Sequence, residues 1–189
     1  MNNGANNGDT GSTARTWVFY TLMSLAGVVV ILALLAIGVA VTLPQDYSFA
    51  RSVVISRPPG VVWGVVRDIA AERGWRQNLH SVERLPDRNG HETWRLRDSE
   101  GQTVVMEVVE SVPPRRLAFE YEGRPGIGVI TWVIEIRSVA NDSQVTLLQR
   151  SSFYPRTYRF LARFVYGTSF ADDFLKSLAQ KFGDPPVVQ

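Results

Sequence analysis

The sequence predicts an α+β protein: one apolar helix, then a curved antiparallel sheet of about seven strands closed by a long C-terminal helix. Three observations predict it. No charged side chain occurs between Arg15 and Asp46, and residues 17–43 are nearly all apolar or small. After Pro44 the chain turns into short β-rich runs separated by Pro, Gly and Asn. Its last long segment then carries apolar residues every three or four positions, the spacing of a helix with one buried stripe.

Residues 1–16 open on Asn, Gly, Ser and Thr and offer almost nothing to bury, so they are expected to be a disordered tail. Residues 17–43 are expected to form a transmembrane helix. About 20 apolar residues cross a hydrocarbon core about 30 Å thick, and Trp17, Tyr20 and Tyr47 stand where interfacial aromatics belong. The alternative is a cleaved signal peptide, with Gly38-Val39-Ala40 as a small-residue site. Signal cores are shorter, about 7–15 residues, and follow a more basic leader than the single Arg15. The expectation is therefore a single-pass membrane protein. Arg15 and the amino terminus favour the inside for the N-terminal flank and an extracytoplasmic side for the remainder.

Residues 44–189 are long enough for one domain with its own core. Its strands are predicted at 47–56, 80–85, 91–97, 102–111, 116–122, 128–139 and 144–153. Arg57-Pro58-Pro59-Gly60 ends the first strand, and Pro59 suits the first turn of a helix in which Val61, Val62, Val65, Val66 and Ile69 recur at helical spacing. A short irregular piece broken by Gly74 and holding Trp75 follows. Asn89-Gly90 and Asn141-Asp142-Ser143 are hairpin chemistry, so the strands are expected to be antiparallel neighbours. Leu117, Phe119 and Tyr121 share one face, as do Ile130, Trp132, Ile134 and Ile136, and as do Val104, Met106 and Val108. A helix over 156–182, with Phe160, Phe164, Gly167, Ala171, Phe174, Leu178 and Phe182 on its stripe and Gly183 past its end, is expected to cover that face.

Composition narrows the chemistry. Twenty Lys and Arg balance eighteen Asp and Glu, a net of +2, which argues against nucleic acid as a partner. Cysteine is absent and there are two histidines, so no disulfide, thiolate nucleophile or metal centre is expected, and no cofactor. His80 and His91 fall at strand ends, and Glu107, Glu120 and Glu135 alternate with apolar residues and point outward. Asp68 reads as a cap on the following turn. Gly126-x-Gly128 lacks the rest of a dinucleotide fingerprint. No catalytic residue stands out. Arg156, Arg159 and Arg163 read as a solvated helix face or as a contact for anionic headgroups.

The domain resembles the START-like, or helix-grip (SRPBCC), superfamily, and within it the polyketide cyclase/dehydrase-like group. The resemblance runs from about residue 47 to 183. It rests on Arg51-Ser52-Val53-Val54-Ile55 before Pro58-Pro59, on Val62-Trp63, and on Asp68 with Trp75. Further on it rests on Glu110-Ser111-Val112-Pro113-Pro114-Arg115-Arg116-Leu117, on Gly128 leading into Thr131-Trp132, and on the terminal helix. The resemblance implies a helix-grip fold with an apolar cavity between sheet and last helix, used for lipids, sterols or polyketides. It does not imply one chemistry. The residues expected to line the cavity are Trp75, Trp94, Met106, Phe119, Tyr121, Trp132, Ile134, Leu147, Phe174 and Leu178. Three readings stand: a membrane-anchored binder of a hydrophobic small molecule or lipid, an interaction module whose core is filled by its own side chains, and an aromatase/cyclase-like enzyme.

Overall fold

The computed structural model describes residues 10–42, 46–122, 128–154 and 169–189. The chain divides into two compact units, Met1–Leu43 and Pro44–Gln189.

The first unit is one helix, α1 (Thr10–Thr42). It starts before the apolar run, inside the stretch expected to be a disordered tail, because extending a formed helix costs far less than nucleating one. Every side chain from Trp17 to Leu32 is exposed. The hydroxyls in that stretch turn back onto the helix: Thr21 donates to the Trp17 and Val18 carbonyls at 3.0 and 2.8 Å, and Ser24 to the Thr21 carbonyl at 2.9 Å. Among the described residues, however, no helix is long and apolar enough to cross a membrane. The transmembrane helix expected over 17–43 is therefore not met by the described residues.

The second unit is built on a seven-stranded sheet in the order β1-β7-β6-β5-β4-β3-β2. The strands are β1 (Asp46–Ile55), β2 (Leu79–Arg88), β3 (His91–Asp98), β4 (Thr103–Val112), β5 (Arg116–Glu122), β6 (Gly128–Val139) and β7 (Asp142–Phe153). All neighbours are antiparallel. The turn residues place the hairpins as expected, with Asn89 and Gly90 at φ 51° and 79° between β2 and β3. Register breaks lie in β2 at Leu79/Ser81 and Leu85/Arg88, and between β4 and β5 at Val108/Glu110, where an extra residue bends a sheet.

Alternation sets the inward face. Leu117, Phe119 and Tyr121 of β5 and Trp132, Ile134 and Ile136 of β6 are buried together. Met106 and Val108 of β4 join them, but Val104 is 37% exposed. It sits one residue inside the strand end, opposite the buried Leu96 of β3.

Helix α2 (Pro59–Arg67) begins on a proline that needs no amide partner there, and it buries Val62 and Val66. A 3-10 turn (Ile69–Gly74) follows, and the Asp68 carboxylate accepts from the Ala71 amide at 3.3 Å, the capping role expected of it. Helix α3 (Ser169–Phe182) buries Ala171, Phe174, Leu175, Leu178 and Ala179 and contacts β1 and β7. Its end is a Schellman motif: the Gly183 amide donates to Gln180 at 3.1 Å and the Asp184 amide to Ala179 at 2.9 Å, with Gly183 at φ 78°. The tail then pairs with the sheet edge, Ser52 and Gln189 exchanging two 2.9 Å backbone bonds. Of the helix expected over 156–182, positions 156–168 lie outside the described residues, and with them Arg156, Arg159, Phe160, Arg163, Phe164 and Gly167.

Candidate ligand-binding site

Antiparallel register carries the expected lining residues into rows that share one face. Trp94, Met106 and Tyr121 are successive cross-strand partners in one row. Val108, Phe119, Trp132 and Gln149 form the next. Leu117, Ile134 and Leu147 form the third. Trp75, from the turn before β2, and Phe174 and Leu178, from α3, complete the set. All ten expected lining residues are buried members of one core.

One end of this face is aromatic. The Trp75 and Phe174 rings meet edge-on at 5.4 Å and Tyr121 and Trp132 at 5.1 Å, while Trp132 and Phe170 are tilted at 4.2 Å. Such contacts contribute about 0.5–1.5 kcal/mol each beyond the area they bury. Trp132 Nε1 donates to Gln149 Oε1 at 2.7 Å, and Gln149 Nε2 to Ser151 Oγ at 3.1 Å, so a short polar seam crosses β6 and β7.

A buried charge pair sits within this aromatic end. Glu72 and Arg76 are 2% and 3% exposed, and Arg76 Nη1 donates to Glu72 Oε2 at 2.8 Å. The Arg76 guanidinium lies over the Phe170 and Phe174 rings, 5.0 and 5.3 Å from their centres. Burial pushes the Glu72 carboxyl up, while the charge and hydrogen bond of Arg76 pull the other way. Burial also pushes the Tyr121 phenol up, opposed by the charge of Arg76, so Tyr121 stays neutral. Three donors here, Trp75 Nε1 and Arg76 Nε and Nη2, are buried without a hydrogen-bond partner among the described residues. Each such atom costs about 1–3 kcal/mol when nothing satisfies it.

The sequence reading missed Glu72 and Arg76. An acidic and a basic residue around Gly74 look like a solvated break. The signal lay in their i, i+4 spacing and in Ile69 and Trp75, apolar anchors that pull the turn inward. It also missed the Glu92 carboxylate, which accepts from Arg67 and, at 2.8 Å, from Trp94 Nε1. Partial burial pushes that carboxyl up, but the bonds from Arg67 and Trp94 and the charges of Arg67 and Arg84 hold it below its ordinary value. Glu135 points outward as expected and pairs with Arg116 at 2.7 Å and Arg137 at 2.9 Å. His80 is exposed and His91 half-buried. Among the described residues no three His, Cys, Asp or Glu side chains come together to hold a metal.

Open clefts lie elsewhere among the described residues. One, about 610 Å³, is lined by Pro59, Pro114, Arg115, Glu135 and Arg137 among others, beside the β4–β5 turn. Another, about 430 Å³, runs along Arg88, Glu107, Glu120 and Val129 and touches Tyr121, alone among the ten expected residues. Neither includes a residue of α3.

The sequence profile of the family described as polyketide cyclase / dehydrase and lipid transport matches residues 47–183. No curated protein matches the chain. Solved structures share the fold at low identity. The Zhui aromatase/cyclase from a Streptomyces species is 18% identical with a TM-score of 0.58, over 72% of this chain and 93% of that one. A protein from Thermus thermophilus is 16% identical with a TM-score of 0.59, over 72% and 97%. The di-domain aromatase/cyclase StfQ of the steffimycin pathway is 9% identical with a TM-score of 0.60, over 73% of this chain and 51% of that one.

Proposed function

Because the chain belongs to the polyketide cyclase / dehydrase and lipid transport family, we propose that residues 44–189 bind a hydrophobic small molecule or lipid between the sheet and α3. The observation that carries this reading is the aromatic end of the inward face. There Trp75, Tyr121, Trp132 and Phe174 surround buried donors that no described side chain satisfies. A guest held there gains about 25 cal/mol for each Å² of apolar surface removed from water, and a few polar atoms fix its orientation.

In the same reading α1 is a single-pass anchor, and the rest of the chain lies on the extracytoplasmic side. Support comes from a helix exposed and apolar on every side from Trp17 to Leu32, whose hydroxyls are bonded to its own backbone. A lipid guest would then leave the bilayer close to its binder. A second reading, an interaction module with a filled core, draws on the near-complete burial of all ten lining residues. Catalysis of the aromatase/cyclase kind has less support, since the acidic and basic pair that lines an open cleft, Arg116 and Glu135, lies outside the aromatic end.

Native mass spectrometry of the full chain, purified in a mild detergent from a lipid-containing host, tests the choice. The binder releases a stoichiometric small molecule on activation. Bare polypeptide at all times, with no mass added by supplied lipids, favours the filled module.

A further inference from the structure

We propose that Arg76 anchors the guest's head group, and that the guest is an apolar carboxylic acid whose two oxygens take the unpartnered Nε/Nη2 edge of the guanidinium. This rests on the binding reading above and names the chemical class that fits it.

The unsatisfied atoms point to an acceptor. A guanidinium carries five N–H donors in a fixed planar fork. Glu72 occupies Nη1, while Nε and Nη2 have no hydrogen-bond partner among the described residues. Those two nitrogens lie on one side of the fork, the edge that matches a carboxylate with two parallel bonds. Trp75 Nε1 is a third unpartnered donor, and Trp75 and Arg76 meet the same Phe174 ring at 5.4 and 5.3 Å. An alcohol or ketone offers one oxygen and leaves part of the edge unpaired. A phosphate brings more negative charge than a cation already shared with Glu72 can balance in a buried place.

The surroundings select the rest of the molecule. Phe170, Phe174, Trp132 and Tyr121 offer ring faces and edges but few polar atoms, so the body attached to the carboxylate is a long chain or a flat ring system. The Glu72 bond and the stacking on two α3 rings hold the guanidinium in place before the guest arrives. Little side-chain freedom is then lost on binding.

The test uses the full chain in non-ionic detergent with two photoreactive probes, a long-chain fatty acid carrying a diazirine in its tail and its methyl ester. Labelled peptides are mapped by mass spectrometry, which separates capture near Trp132 and Phe174 from capture on α1. The acid is expected to label the Trp132 and Phe174 peptides at least about tenfold more than the ester at equal sub-saturating concentration, as loss of a charge-assisted bidentate contact implies. Arg76→Lys, which keeps the charge and loses the fork, is expected to bring the two probes to parity. Glu72→Gln, which removes the competing carboxylate and keeps Arg76, is expected to retain or raise acid labelling, and it decides the matter if Arg76→Lys does not fold by circular dichroism. Equal labelling of those peptides by acid and ester overturns the carboxylate anchor and leaves the apolar site standing, with water satisfying Arg76. An acid preference that survives in folded Arg76→Lys also overturns the anchor. Absence of labelling in 44–189 by either probe overturns both the anchor and the binding reading.

Discussion

The inward face of the sheet has two ends built on different terms. Leu117, Ile134, Leu147 and Val145 are aliphatic and almost fully buried. Around Trp75, Trp132 and Phe174 the layer is aromatic and encloses a glutamate, an arginine, Gln149 and Ser151. The aliphatic end needs nothing beyond exclusion of water. The aromatic end contains more than packing requires, since a buried ion pair gives no more stability than well-packed apolar residues of the same size. The comparison teaches that the two ends are built differently, one on aliphatic packing and the other on aromatic packing around a buried charge pair.

The largest expected effect tests that division at the charge pair. Arg76→Met leaves Glu72 buried without its cation and should cost about 3–5 kcal/mol of stability in urea denaturation. Replacing both members together, Glu72→Met with Arg76→Met, should restore stability to within about 1 kcal/mol of the parent. A double variant as unstable as the single one would make the pair a part of the fold's own framework.

At the aliphatic end, Leu147→Ala should cost about 2–5 kcal/mol through the cavity it leaves, read in the same denaturation experiment. It should not change the acid-to-ester preference of the site. If it did, the two ends would not be separable.

Beside the aromatic end, Glu92 gives a pH-dependent contrast. Its carboxyl is held below the ordinary value of 4.5, so it stabilises the fold above that value, and the contribution is lost as pH falls through the lowered one. The stability difference between the parent and Glu92→Gln should be constant near neutrality and shrink as the solution is acidified below 4.5. A difference that grew in acid would contradict the Arg67 and Trp94 bonds. The smallest effect belongs to the exposed pair between Arg95 and Glu83, 2.8 Å apart, where Arg95→Ala should cost less than about 1 kcal/mol.

Much of this was legible in the sequence, and for identifiable reasons. The alternation in 116–122 and 128–139 placed Phe119, Tyr121, Trp132 and Ile134 on one face because a half-buried antiparallel strand has no other way to sort polar from apolar. Gly183 marked the end of α3 because a left-handed residue is needed there. Val104 showed the limit of that reasoning, since alternation records a phase and not where the core stops. Glu72 and Arg76 escaped because burial of a charged pair depends on partners far along the chain, Phe170 and Phe174, which no local pattern exposes. The start of α1 escaped for another reason: Thr and Ser are poor nucleators but accept extension of a helix formed beside them.

The central claim, that an apolar guest occupies the Trp75–Trp132 end, meets its most direct test in tryptophan fluorescence of the full chain titrated with a brominated fatty acid. The chain has five tryptophans, at 17, 63, 75, 94 and 132, and those at the aromatic end should be quenched in a saturable, one-to-one phase. That phase should vanish in a folded Trp75→Phe, Trp132→Phe variant while the non-saturating quenching of Trp17 persists. Quenching that rises only in proportion to the added lipid, and is the same in the variant, would contradict the account.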